Sequence, residues 1–189
     1  MWTLRFVCIT LLLTPFRRVT GLNLVSPFRR MIGLFAFFYG TLHFLTWLVL
    51  DRYFGLVDYP GGYFSAATMA KLARYAVEDI YKRPFITIGF TAFVLMVPLA
   101  ITSTKGWIRR MGGKKWAALH RLVYATAIAG VVHYWWLVKA DISRPQTYAA
   151  IVAVLLAARV YYWFKKSRPT VRPSASPSAS ALDRQSARG

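Results

Sequence analysis

Three histidines, His43, His120 and His133, are all that the chain contains, and each lies in or at the edge of a long apolar segment rich in aromatic residues. An imidazole at bilayer depth is costly enough that it ordinarily has a function. The neutral ring is also a natural axial ligand for haem iron. The single cysteine, Cys8, leaves no intrachain disulfide, no cysteine-based zinc site and no iron–sulfur cluster. A metal here must use histidine.

The elements that would position these residues are membrane helices. Hydrophobic residues make up 57% of the 189 and charged residues only 16%, and the apolar residues come in blocks. Met31–Leu50, Pro84–Thr102, Trp116–Val138 and Gln146–Phe164 each approach the roughly 20 residues that cross a bilayer. A shorter fifth segment, Trp2–Phe16, carries Arg5. No A-x-A cleavage site follows it, and it ends at Pro15-Phe16-Arg17-Arg18 as a span does, not as a signal peptide. The expected fold is an all-α polytopic membrane protein, a bundle of about five transmembrane helices. Between the spans, Tyr59-Pro60-Gly61-Gly62 predicts a turn. Leu72, Tyr75, Ala76 and Ile80 recur at helical spacing within Ala66–Tyr81, which predicts either an amphipathic surface helix or an ordinary connecting helix. Residues 1–166 are expected to form the transmembrane domain. Residues 167–189, rich in Pro, Ser, Ala and Arg, are expected to form a disordered basic tail.

A net charge of +19 would suggest nucleic acid in a soluble protein. Here the basic residues collect in short connections and the tail, where membrane insertion wants them, so the partner is lipid and not nucleic acid. Arg17–Arg30 and Ser103–Lys115 are basic with no acidic residue, and the tail is basic apart from Asp183, so all three are expected in the cytoplasm. Asp51–Arg83 and Lys139–Pro145 are mixed and expected outside. The alternation puts the C-terminus in the cytoplasm and residue 1 outside. That start is awkward to insert, which leads to the expectation of a further amino-terminal helix.

Met31–Leu50 and Trp116–Val138 then run in the same direction. At about 1.5 Å per residue, His43 and His133 share the outer half of the bilayer, where a haem between the two helices could be ligated by both. His120 lies thirteen residues before His133, roughly 20 Å deeper. Thirteen residues at about 100° each leave the two some 140° apart, so only a bent or rewound span turns both to one partner helix. Arg29, fourteen residues before His43, cannot ligate iron but could pair with a haem propionate or a flavin phosphate. The pattern is one full bis-histidine site and one half-site. Each histidine also has a plain reading as a hydrogen-bonded packing residue. Phe35, Phe37, Phe38, Tyr39, Trp47, Tyr134, Trp135 and Trp136 suit a flat porphyrin or an interfacial aromatic belt. Gly33 and Gly40, on one face, admit either a macrocycle or another helix.

Several runs together resemble the MsrQ (formerly YedZ) family of the ferric-reductase-like transmembrane group. They are Arg29-Arg30-Met31-Ile32-Gly33-Leu34 with Thr41-Leu42-His43, Arg83-Pro84-Phe85-Ile86-Thr87-Ile88-Gly89, Thr102-Ser103-Thr104, Trp116-Ala117-Ala118-Leu119-His120-Arg121-Leu122-Val123-Tyr124, and His133-Tyr134. The resemblance runs from the first residues to about Phe164. It implies a haem b membrane subunit of a bacterial methionine sulfoxide reductase system that repairs oxidised proteins. Such a subunit takes electrons from a cytoplasmic flavin reductase or quinol and passes them across the inner membrane to a periplasmic molybdopterin subunit of the MsrP kind. It implies FMN as a second cofactor, and His43, His120 and His133 as the family's haem histidines. It also implies six helices where this chain shows five, and an electron-transfer subunit that is not itself the catalytic one.

The alternative within redox chemistry is a ferric- or oxygen-reductase-type carrier. The chain has no G-x-G-x-x-G and no nucleotide-binding domain with which to use NADPH alone. A small proton-coupled transporter is a third reading, disfavoured because all six acidic residues lie in connections or the tail.

Overall fold

The computed structural model describes residues 2–22, 26–53 and 65–167, and all regular structure among them is helical. In chain order the helices are α1 (Trp2–Thr20), α2 (Ser26–Thr46), α3 (Ala66–Lys82), α4 (Pro84–Ile101), α5 (Lys105–Met111), α6 (Gly113–Leu119), α7 (Leu122–Leu137) and α8 (Ser143–Ser167). α2 runs on into a π-helical stretch, Trp47–Tyr53. The chain divides into two units, Met1–Arg159 and Val160–Gly189. The bundle and its cavity belong to the first. Of the second, only the end of α8 is described, so the expected tail from residue 168 lies outside the described residues. The Tyr59–Gly62 turn does too.

α1 and α4 each pack against both α2 and α7. The core where they meet is built from small and medium side chains, Val7, Cys8, Leu11, Ala36, Met96, Ala127 and Val131, joined by Val152 and Leu155 of α8. Small residues let backbones approach closely where no water-driven force operates between helices. Outward, the chemistry is inverted relative to a soluble protein. Pro27–Tyr53, Pro84–Ile101 and Ser143–Lys165 are long and apolar enough to cross a membrane, yet only 11%, 6% and 11% of their apolar windows are buried. Apolar surface on that scale needs lipid against it, and helices satisfy their backbone groups there. α1, with Arg5, Arg17 and Arg18, and α7, with 16 residues, fall outside that set but pack in the same bundle.

The expected span Trp116–Val138 is not one helix. It breaks at His120 and Arg121, where the amides of Arg121 and Tyr124 bond three residues back, to Ala118 O at 3.1 Å and Arg121 O at 2.9 Å. The cause is a pair of tethers to the end of α4. Trp116 Nε1 donates to Thr102 O at 2.9 Å, and His120 Nε2 lies 3.1 Å from Thr102 Oγ1. Upstream, the connection Ser103–Lys115 holds two short helices, α5 and the start of α6. They are separated at Gly112, whose φ of 75° is a conformation that side chains other than glycine's rarely adopt.

α3 matches the expected helix within a residue at its end. Ser65 caps its start by accepting from Thr68 N at 3.1 Å. Lys82 pairs with Glu78 at 2.5 Å and holds that carboxyl below the usual carboxylate range. Asp79 ties three elements together, pairing with Arg52 of the π-helical stretch and with Arg83, whose Nε lies at 3.5 Å.

Candidate cofactor site

α2 and α7 stand across a gap from one another, and their histidines meet in it. The ring centroids of His43 and His133 are 6.1 Å apart, with the ring planes at 68°. The depth read from helix rise thus places both at one level. Around them is a cavity of about 610 Å³, within the roughly 300–1,000 Å³ typical of small-molecule sites. Its walls come from α1 (Val7), α2 (Gly40, Phe44), α4 (Phe93, Met96) and α7 (Gly130), so they are mostly apolar. Phe93 stacks on Phe37 at 5.8 Å and on Phe44 at 5.1 Å, which makes that side of the cavity flat and stiff.

His133 is held in one tautomer. Its Nδ1 lies 2.7 Å from Phe85 O, and a carbonyl only accepts, so Nδ1 carries the proton. The Nε2 lone pair of the neutral ring is left for a ligand. A backbone carbonyl behind a metal-binding histidine is the usual way of fixing ring orientation and raising basicity. The ring reaches Phe85 because α4 has no side chain at Gly89. A Cβ there would stand 2.6 Å from His133 Nδ1 and 2.7 Å from Cε1.

The separation suits a shared metal. Two imidazoles that both bound one metal, with metal–nitrogen bonds of about 2 Å, would have centroids about 6 Å apart. Among the described residues no group of three or more His, Cys, Asp or Glu could hold a metal ion. Two nitrogens in an apolar slot therefore fit a metal that arrives with a macrocycle supplying its other ligands, as haem does.

His120 and Arg29 are not in this cavity. The Thr102 hydroxyl donates to Pro98 O at 2.6 Å, so His120 Nε2 must be the donor to Thr102 Oγ1. Its ring also stacks on Trp116, 3.9 Å between centroids. α4 is thus the helix that both α7-side histidines meet, His133 at its first turn and His120 at its end. The local tightening at His120 is the rewinding that the 140° offset demanded. Arg29 is near enough to His120 for its charge to act there, which groups those two residues at the α5 end of the bundle.

Of the aromatics singled out in the sequence, Trp47 and Tyr134 line the cavity. Phe35, Phe38, Trp135 and Trp136 are exposed on the outside, as a belt is. Gly40 lines the cavity, while a Cβ at Gly33 would meet nothing within 4 Å, so Gly33 supports no close approach. Gly89, the Phe85 carbonyl and Thr102 were not identified as site residues from the sequence. The available signal was a glycine inside a span that is otherwise large and apolar.

Known proteins resemble the chain along most of its length. The family described as ferric reductase like transmembrane component matches residues 1–131. The protein-methionine-sulfoxide reductase heme-binding subunit MsrQ of Ralstonia nicotianae is 51% identical over 169 residues, which are 88% of this chain and 70% of that protein. The protein of the same name from Herminiimonas arsenicoxydans is 48% identical over 170 residues, with the same coverage of each chain. The one from Xanthomonas euvesicatoria pv. vesicatoria is 44% identical over 179 residues, 95% of this chain and 74% of the relative. No solved structure matches.

Proposed function

The chain belongs to the ferric-reductase-like transmembrane proteins and, within them, to the MsrQ family, and from this we propose that it is a haem b subunit that carries electrons across the bacterial inner membrane to a periplasmic methionine sulfoxide reductase. The observation that carries the reading is the His43–His133 pair, 6.1 Å apart in an apolar cavity with the His133 tautomer fixed. Haem b held there would supply reversible one-electron chemistry. The chain's part is to grip and orient it. His43 and His133 would hold the iron, Phe85 O accepts from Nδ1 of His133 and fixes its ring, Gly89 leaves room for that ring, and Phe44 and Phe93, with Phe37 stacked behind, would give the macrocycle an apolar wall.

Five helices, α1, α2, α4, α7 and α8, cross the membrane in this reading. The α5 end, with Arg29, Arg109, Arg110, Lys114 and Lys115, lies in the cytoplasm with the C-terminus. That basic face receives electrons from a flavin reductase or quinol and offers Arg29 to the phosphate of FMN. The α3 end faces the molybdopterin partner in the periplasm. His120 acts as the clamp that breaks the α6–α7 helix against Thr102, so one haem is expected.

The deciding experiment is haem content and redox titration of the purified chain alongside His43→Ala, His133→Ala and His120→Ala. The expected result is a Soret band that shifts on dithionite reduction, a single redox component, and its loss in the first two variants only. A wild type without that band, or retention of haem in both His43→Ala and His133→Ala, overturns the proposal.

A further inference from the structure

The cavity has a polarity that the imidazole pair does not use. Its deep side, between Val7, Ala92, Phe93 and Met96, is apolar, whereas its mouth at the α3 end carries Trp47, Asp51, Arg52 and Arg83. Two donors at that mouth are buried without an acceptor among the described residues, Nε1 of Trp47 and Nε of Arg52. Neither atom can do anything but donate, and leaving a buried donor unmet is unfavourable. The two are neighbours, since the Arg52 guanidinium lies 5.9 Å from the centre of the Trp47 ring.

Asp79 is shared between Arg52 and Arg83. Asp51 also lies at the mouth, and both it and Arg83 are exposed and open to water, so Arg52 is the cation set inside the rim. The π-helical winding from Trp47 to Tyr53 is what assembles the group. Its wider turn brings Arg52 to the cavity together with Trp47 and Asp51, where a regular helix would carry Arg52 round to the next face. An apolar slot whose mouth carries an indole N–H and a guanidinium is the complement of a flat apolar body with carboxylate tails.

Resting on the haem reading above, we infer that Trp47 and Arg52 hold the propionate carboxylates of the haem, so that its acidic edge faces the α3 end and its apolar edge the Met96 end. Charge-assisted hydrogen bonds of this kind are the strong ones. The ion pair with Asp79 holds the Arg52 side chain in place before the cofactor arrives.

The test is a comparison of ligands on the full chain. Protein purified in detergent without cofactor is titrated with haem b and with haem dimethyl ester, whose propionates are blocked, and the Soret band is followed. Wild type is expected to take the free acid roughly tenfold more tightly or better. Trp47→Phe and Arg52→Gln are each expected to shrink that preference at least about threefold. Wild type that takes both forms equally, or folded variants that keep the wild-type preference, overturns the assignment while leaving the haem reading intact. Wild type that takes neither form overturns the haem reading, and the assignment with it. Should Arg52→Gln fail to fold for want of the Asp79 pair, Trp47→Phe leaves that pair in place and decides the matter alone.

Discussion

At the scale of single residues, the site depends on an atom that is absent. Gly89 clears the space that the His133 imidazole fills, and a methyl group there would meet the ring at 2.6 Å. The ring belongs to a packed helix and has no slack along the bond to Phe85 O, so Gly89→Ala is expected to turn it off the axis of the cavity. Haem affinity should fall roughly 10–100-fold, as it does when the group behind a metal-bound histidine is lost. Circular dichroism should meanwhile report an unchanged helix content; retention of wild-type haem affinity would show that the ring position is not set by this contact. His43 and His133 could be paired from the sequence because depth follows from the rise per residue alone. Gly89 could not, because the clearance depends on which face of α4 meets α7, and that is a property of packing. His120 separates from the pair for the same reason. In the sequence it is a third candidate ligand, and in the fold its Nε2–H is given to Thr102.

At the scale of elements, five helices were legible from their apolar blocks, and their cores lie where the blocks predict. Two irregularities were not. The break at His120 arises from tethers to Thr102, eighteen and fourteen residues away, and the π-helical end of α2 arises against the Arg52–Asp79 pair. Both are tertiary causes acting on local winding, and periodicity within one segment carries no trace of them. Thr102→Val keeps the volume but removes the hydroxyl that His120 bonds. It is expected to lower stability by about 1–3 kcal/mol in detergent unfolding while leaving the absorption spectrum of bound haem unchanged. A spectral change would mean that the clamp also sets the histidine pair. At the start of α8, Asp141 accepts from Ser143 N at 3.0 Å and from its hydroxyl at 2.6 Å, which holds the carboxyl below its ordinary range. A carboxyl lowered on folding contributes stability that is present above its unfolded value and lost as pH falls through the folded one. Amide protection in the first turn of α8, measured relative to the intrinsic exchange rate, should therefore fall on acidification through the lower carboxylate range, and Asp141→Asn should remove that pH dependence.

At the scale of the whole molecule, the charge of +19 and the apolar exterior sort the bundle into a basic end and a mixed end, and this is the part that the sequence shows most fully. A reporter fused after residue 167 is expected to behave as cytoplasmic, fluorescent as a green fluorescent protein fusion and inactive as an alkaline phosphatase fusion. The opposite pair of results would reverse the direction of electron flow proposed above. The two imidazoles are ninety residues apart along the chain, and the helices that carry them pack on α1 and α4 more than on each other. A group gripped by both is therefore a rivet set after the chain has been made, closing a seam that its own packing leaves soft. Loading and folding become one equilibrium, and free cofactor stabilises the closed form by mass action. If the proposed site holds haem, copies that never receive a rivet should be the easier prey for membrane proteases, and porphyrin supply would then govern how much of this protein a cell keeps.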